Sequence, residues 1–175
     1  MIRATSLRHA LSLLLAFSSL AVAQFDDNYE TKTWQEIEIQ LPKPPQDADL
    51  RGFYVSAAAD NRFYVDRQSV SIGADGVVRY TLVVLSSAGA RSVSYEGVRC
   101  ASAERRLYAF GRRNGDWSKA RGSDWLPIKS VQTNRQHAAL YFDYFCRDGV
   151  LAHSLPDVLK TLDQGGPPAV DGWRR

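Results

Sequence analysis

The feature that most constrains the fold is a tight-turn signal between two alternating apolar runs. Four apolar side chains after the turn are spaced two residues apart and so lie on one face of a strand: Val78, Tyr80, Leu82 and Val84. Arg79 and Thr81 fall on the opposite face, and Val70 and Ile72 precede the turn at Gly73–Gly76. A period of two indicates a β-strand, and Asp-Gly supplies the positive φ that a hairpin turn needs. The segment therefore predicts an antiparallel hairpin.

Further strands are predicted on both sides of this hairpin. The turn at Ser86–Ala90 leads into a strand with Val93 and Tyr95, and Asn114-Gly115 marks another hairpin. Short runs rich in aromatic and β-branched residues predict the other strands: Trp34–Ile39, Phe53–Ser56, Arg62–Val65 and Leu107–Phe110. Trp125–Ile128 contains Pro127, which cannot donate to a ladder, so it fits an edge strand or an irregular segment.

The apolar period then changes to about 3.6, which indicates a helix. Thr133 or Asn134 can cap it, and Gly149 is placed to end it just after Cys146. One stripe of this helix is predicted to hold Ala138, Tyr141, Phe142 and Phe145. A short capped helix is predicted over Ser154–Leu162, and a disordered tail follows it.

The first 23 residues have the pattern of a secretory signal peptide. Arg3 and Arg8 precede an apolar run that is shorter than a membrane span, and Ala21-Val-Ala23 resembles a cleavage site. We therefore expect an exported protein without a stable membrane anchor, and the pattern favours the periplasm as its location. An uncleaved N-terminal anchor is the alternative.

Two cysteines, Cys100 and Cys146, remain after this leader. In an oxidising compartment the simplest pairing is one structural disulfide, which would tie the helix end to a strand end. A redox-active pair is the alternative, although the cysteines lack Cys-x-x-Cys spacing.

These patterns together predict an α+β fold: a curved antiparallel β-sheet of about six strands, packed by one C-terminal α-helix and held by one disulfide. The predicted organisation is a signal peptide at 1–23, a polar segment at 24–33, the domain at 34–150, and a short helix with a disordered tail at 151–175.

No motif indicates catalysis, a metal or a cofactor. Only His137 and His153 remain after the leader, which is too few for a zinc site when both cysteines form a bridge. Nucleophile-elbow and phosphate-loop motifs are absent from the sequence. His137 reads as an exposed or satisfied side chain, although a triad or carboxylate pair assembled in space would still allow an enzyme.

One stretch of the chain is locally cationic, although the predicted mature chain has only one more basic than acidic residue. Seven basic and two acidic residues lie between Arg99 and Arg121. Eight residues of this stretch form the predicted binding patch: Arg105, Arg106, Tyr108, Arg112, Arg113, Trp117, Lys119 and Arg121. Guanidinium groups beside aromatic rings suit phosphate, carboxylate or sugar surfaces. A solvated sheet face with ion pairs is the alternative.

Several segments, in order, resemble the cryptic neisserial protein family: Trp34–Pro42, Phe53–Ala57, Asp75–Val83, Ser94–Gly97, Tyr108–Gly111, Trp117–Arg121 and Asn134–Cys146. The resemblance implies a bacterial envelope protein of uncharacterised function, with no catalytic or ligand residues to transfer. A weaker likeness to surface-adhesin protein E type domains runs through Phe63–Asp66, Ser69–Ile72 and Cys100 with Glu104–Arg106.

The function expected from these observations is a non-catalytic interaction module. Its partner would be an envelope component, either an anionic glycan, a lipid phosphate or a protein, and nucleic acid is not expected for an exported chain. An enzyme of unrecognised type and an adhesin-like surface protein are the alternatives.

Overall fold

Seven strands form one antiparallel sheet in the computed structural model, which describes residues 33–129, 135–147, 149–151 and 154–166. The strands are β1 (Leu50–Phe53), β2 (Arg62–Ile72), β3 (Val77–Leu85), β4 (Arg91–Arg99), β5 (Glu104–Gly111), β6 (Trp117–Lys119) and β7 (Leu126–Pro127). β1 to β6 pair in chain order, and β7 pairs with the same edge of β5 as β6. The predicted antiparallel sheet is confirmed, with one strand more than expected.

The predicted hairpins form at their expected turns. Gly76 has φ +75° and its amide donates to the carbonyl of Gly73 at 2.9 Å, which closes the β2–β3 turn. Gly115 has φ +87° in the β5–β6 turn. Positive φ is inexpensive only for glycine, so these positions fix where the chain reverses. Trp125–Ile128 contributes only the two-residue edge strand β7, as its proline predicts.

Irregular pairing interrupts two strands. The β2–β3 register shifts between Asp66 and Ser71, where the Ser69 hydroxyl donates to the Asp66 carbonyl at 2.7 Å and accepts from the Thr81 amide at 2.8 Å. A second shift follows Tyr95 in the β4–β5 pair. Bulges of this kind bend a strand and increase its twist.

The main core lies between one face of the sheet and a helical layer. α1 (Arg135–Ala139) continues into a π-helical turn (Leu140–Phe145), and α2 (Leu155–Asp163) packs beside them. The apolar side chains of β3 on this face pack with the helices in one buried cluster that includes Val78, Tyr80, Leu82, Leu140, Phe145, Val158 and Leu162. The ring of Tyr80 lies 5.1 Å from that of Phe145.

The predicted helix is confirmed over 135–145, but its stripe is wrong at one position. Tyr141 and Phe145 are buried, whereas Phe142 is 64% exposed. The i→i+5 hydrogen bonding of a π-helix places residues four and five apart on one face, so Phe142 turns outward. The proposed caps at Thr133 and Asn134 lie outside the described residues.

Cys100 and Cys146 form the predicted disulfide, with their Cα atoms 5.5 Å apart. Cys100 directly follows β4, and Cys146 directly follows the π-helical turn. Tyr141 reinforces this junction by donating a hydrogen bond from its hydroxyl to the carbonyl of Cys100 at 3.1 Å. The bridge therefore ties the helix end to a strand end.

The first predicted strand is wrong. Trp34–Ile39 pairs with no strand. It donates hydrogen bonds instead to Asp75 in the β2–β3 turn: the Ile37 amide donates to the Asp75 carboxylate, and the Trp34 indole donates to the Asp75 carbonyl. We call Trp34–Pro45 the strap, since it runs across the second face of the sheet.

Two further boundaries need correction. The strand predicted at Phe53–Ser56 lies at Leu50–Phe53, where it pairs with Phe63–Asp66 of β2. Gly149, with φ +76°, sits between the short strands β8 (Cys146–Arg147) and β9 (Val150–Leu151), so the helix ends before it reaches Gly149.

The short C-terminal helix is confirmed as α2, with a capping box between Ser154 and Asp157. No helix within the described stretches is both long and apolar enough to span a membrane. The predicted signal peptide, most of the polar segment after it, and the predicted tail beyond Gly166 lie outside the described residues.

Candidate functional site: an arginine cleft

The predicted binding patch divides between different surroundings in the structure. Arg112, Arg113 and Trp117 line a common cleft. Arg106 and Tyr108 lie instead beneath the strap, where both contact Glu36. The other three members are the partly buried Arg105 and the exposed Lys119 and Arg121, none of which lines the cleft.

The arginine cleft lies between two turns of the sheet and the end of the strap, and has a volume of about 530 Å³. The β3–β4 turn supplies Gly89, Ala90 and Arg91, the β5–β6 hairpin supplies Arg112, Arg113, Gly115 and Trp117, and the strap supplies Pro44 and Pro45. Val93 and Gly111 complete the lining. Three separate stretches of sequence therefore meet at one concave surface.

Three guanidinium groups make the cleft cationic. Arg91 pairs with Asp47 at 3.3 Å, but the Asp47 side chain is 85% exposed, so this is a weak surface ion pair. Arg112 donates to the Ser118 hydroxyl at 3.1 Å, which positions the guanidinium without neutralising it. Arg113 is exposed at the hairpin turn. An anion entering the cleft would meet charges that are only partly compensated.

Trp117 occupies a fixed position in the cleft. Its indole N–H donates to the carbonyl of Pro42 at 2.8 Å. Its ring centroid lies 6.1 Å from that of Tyr95, and a β-carbon added to Gly111 would lie 3.7 Å from the indole. Because the indole N–H is already bonded, what Trp117 can offer a ligand is an apolar ring surface.

Sequence reasoning missed Arg91 and the two prolines of the cleft. Arg91 stands directly after the predicted turn Ser86–Ala90, which was a signal that it would project at the same end of the sheet as the β5–β6 turn. Pro44 and Pro45 gave no such signal, because they follow the predicted strand Trp34–Ile39 in a proline-rich stretch whose sequence does not indicate where it lies.

A buried ionic cluster holds the strap to the second face. The Glu36 carboxylate accepts hydrogen bonds from Arg106, from the Tyr108 hydroxyl, and from Arg79 at 3.3 Å. Arg79 also donates two hydrogen bonds to Asp75, at 2.6 and 3.1 Å. Alternation alone gave no reason to expect that Arg79 is 4% exposed.

The cluster shifts the pKa values of its members. Burial opposes ionisation of Asp75, but hydrogen bonds from Arg79 and from the amides of Ile37 and Val77 outweigh it and hold the pKa of this carboxyl below its usual value. Burial and the hydrogen bond to Glu36 raise the pKa of the Tyr108 phenol. Tyr108 is therefore a neutral donor to the carboxylate.

A second buried polar cluster lies on the opposite face, between the sheet and α1. His137 Nε2 is 2.8 Å from Glu96 Oε2, and the Tyr80 and Ser94 hydroxyls donate to the same carboxylate at 3.2 and 2.7 Å. Burial raises the pKa of Glu96, but its charge and hydrogen-bond contacts with His137 and Ser94 hold it below the usual value. His137 is thus a buried core histidine that is paired at Nε2, while its Nδ1 has no hydrogen-bond partner among the described residues.

The carboxylate and ring side chains of this second cluster are shielded from solvent. Tyr80, Glu96 and His137 are all at most 5% exposed. Three further cavities in the described part of the chain lie around Tyr54, around Asn61 and around Leu159, and His137 lines neither these nor the arginine cleft. Among the described residues, no group of three or more His, Cys, Asp or Glu side chains could hold a metal ion.

Comparison with known proteins identifies a family, but the matched names state no activity or ligand. The chain is 24% identical over 152 residues to Cryptic neisserial protein 1 of Neisseria gonorrhoeae, a match that covers 77% of this chain and 74% of that protein. No solved structure matches the chain. The model of the CNP1-like family matches residues 29–163. The chain therefore belongs to the CNP1-like family, as its sequence resemblance predicted.

Proposed function

We propose that this protein is an exported, non-catalytic binding module that holds an anionic glycan of the cell envelope in the arginine cleft. The observation that carries the proposal is the convergence of Arg91, Arg112 and Arg113 with Trp117 on one concave surface of about 530 Å³. Guanidinium groups bind carboxylate and phosphate through paired hydrogen bonds.

The size and walls of the cleft favour a glycan over a free ion or a lipid surface. Its volume falls in the range of about 300–1,000 Å³ that is typical of sites for drug-sized molecules, far above what one phosphate needs. Pro44, Pro45 and Trp117 present apolar surfaces on which sugar rings can pack. A membrane surface is too broad to enter a concave cleft between two turns.

The cleft offers little for catalysis. Its described lining consists of arginine, proline, glycine, alanine, valine and tryptophan. General acid–base catalysis and covalent catalysis need a histidine, carboxylate, thiol, hydroxyl or amine at the reacting atoms. The cleft therefore has more support as a binding site than the alternative of an enzyme.

The first test measures the affinity of the protein for tetragalacturonate by isothermal titration calorimetry. Maltotetraose is the uncharged probe, and inorganic tripolyphosphate is the anion without sugar rings. R112Q/R113Q removes two charges from the cleft, and K119Q/R121Q removes two exposed charges outside it. We expect R112Q/R113Q to weaken tetragalacturonate binding at least tenfold, since each charged hydrogen bond contributes about 1.5–3 kcal/mol, while K119Q/R121Q changes it less than twofold.

Other outcomes would contradict the proposal. Equal losses in the two double variants would mean that net charge, and not the cleft, drives binding. Binding of tripolyphosphate but not of tetragalacturonate would indicate a phosphate site, and recruitment to phosphatidylglycerol vesicles alone would indicate a lipid surface. Export is tested separately, by following N-terminal processing of the full chain and its release with the periplasmic fraction. Retention in the cytoplasm would contradict the proposal that the ligand is a glycan of the cell envelope.

A further inference from the structure

One wall of the arginine cleft belongs to the strap and not to the sheet. Pro44 and Pro45 line the cleft, and Pro44 lies against the β5–β6 turn, with its Cγ 3.3 Å from the point where a β-carbon on Gly115 would lie. Asp47, just beyond the strap, pairs with Arg91 on the other side. The cleft is therefore complete only when this part of the chain lies on the sheet.

The strap forms no ladder with the sheet in the described region, so side chains hold it. Trp117 donates to the Pro42 carbonyl. Ile39 packs against the cluster of Tyr95 and Tyr108, whose rings are 5.6 Å apart. Because Tyr95 also packs on Trp117, a continuous row of aromatic rings connects the cleft with the middle of the strap.

Glu36 fixes the far end of that row. Its carboxylate joins Arg79, Arg106 and Tyr108, which come from β3 and β5, while Glu36 itself does not line the cleft. The side chain of Arg79 is 5% exposed and that of Glu36 is 11% exposed, so this ion pair is shielded from water. Loss of the carboxylate would take this acceptor from the buried Tyr108 hydroxyl and leave Arg79 with Asp75 alone.

We propose that docking of the strap through Glu36 assembles the arginine cleft, so that glycan binding and strap docking are coupled. Glu36 is then a positioning residue, which acts on the ligand through Tyr108, Ile39 and the wall at Pro44. This inference rests on the proposed function of the cleft. By reciprocity, a ligand that needs the wall must also stabilise the docked strap.

The test compares E36Q with E38Q, a matched control two residues away whose side chain is exposed. Each variant loses one negative charge, and charge alone would strengthen the binding of tetragalacturonate. We expect E36Q to weaken this binding about tenfold, within the usual range of coupling between sites, and E38Q to leave it unchanged or slightly stronger. A far-ultraviolet circular dichroism spectrum shows whether the sheet and helices of E36Q remain folded.

Hydrogen exchange in the unmodified protein gives a second readout that needs no variant. Tetragalacturonate should slow exchange of the amides at 36–41, including the Ile37 amide that donates to Asp75. The inference fails, while the proposed function stands, if R112Q/R113Q loses binding but E36Q does not and exchange in the strap is unchanged. Both fail if the unmodified protein does not bind the probe.

Discussion

Replacing Glu96 should show how much the buried polar cluster contributes to holding α1 on the sheet. Its carboxylate accepts from His137 at 2.8 Å, from Ser94 at 2.7 Å and from Tyr80 at 3.2 Å. Glutamine keeps an oxygen that can accept from His137 and Tyr80, and its amide group can donate to Ser94. Methionine has a similar length but offers no comparable acceptor.

The two substitutions should therefore differ greatly in cost. In E96M the buried donors of His137 and Tyr80 lose their acceptor, at about 1–3 kcal/mol each, so we expect a loss of about 4 kcal/mol in the free energy of unfolding. In E96Q only the extra strength of hydrogen bonds to a charge is lost, about 1 kcal/mol. Ser94 is only partly buried and can turn to water.

Urea unfolding followed by circular dichroism measures both values by linear extrapolation. E104Q is the control, because Glu104 forms only a partly exposed ion pair with Arg99 at 3.9 Å, which predicts a cost below about 0.5 kcal/mol. If methionine at position 96 costs no more than glutamine, the cluster does not depend on its hydrogen bonds and the reasoning is refuted.

Three further predictions concern stability. Replacing both cysteines by alanine in C100A/C146A should lower the free energy of unfolding by about 4 kcal/mol, as measured by urea titration of the oxidised protein and the variant; a loss below 1 kcal/mol would contradict the role of the bridge. G97A should cost about 1–3 kcal/mol, because a β-carbon on Gly97 would lie 2.4 Å from the Tyr108 hydroxyl oxygen; an unchanged melting temperature would show that the tyrosine moves freely. Folding lowers the pKa of Asp75, so its ionised carboxylate should stabilise the protein fully above its unfolded pKa of about 4, and this stabilisation should be lost as the pH falls through the folded pKa. The difference in the free energy of unfolding between the unmodified protein and D75N, measured by urea titration, should therefore shrink between about pH 4 and about pH 2. A difference that does not change with pH would contradict this link between ionisation and stability.

The central strands were predictable because their evidence is local. The alternation around Tyr80 and the glycine turns at Gly76 and Gly115 determine strands and reversals without reference to the rest of the chain. The helix over 135–145 was predictable for the same reason, whereas the outward position of Phe142 depends on a π-helical turn that apolar periodicity does not reveal.

The strap could not be predicted from its own residues. A period of two indicates an extended chain with two faces, but it does not say whether backbone or side chains make the contacts. Trp34 and Glu36 bind a turn and a buried ionic cluster, and their partners Asp75 and Arg79 are about forty residues away. The burial of Arg79 follows from that long-range contact.

The predicted cationic segment located only part of the cleft. Neighbouring residues on a strand point to opposite faces, so Arg105 and Arg106 could not act together, whereas Arg112 and Arg113 lie on a turn. Arg91 and Pro44 join them only because the β3–β4 turn and the strap reach the same end of the sheet.

The most direct test of the central claim is to map tetragalacturonate binding on the isotope-labelled protein by nuclear magnetic resonance. The account predicts that the largest shift changes occur at the Trp117 indole N–H, at Arg91 and at the amides of Arg112 and Arg113. Changes that centre on Lys119 and Arg121, or that spread evenly over the cationic surface, would contradict it.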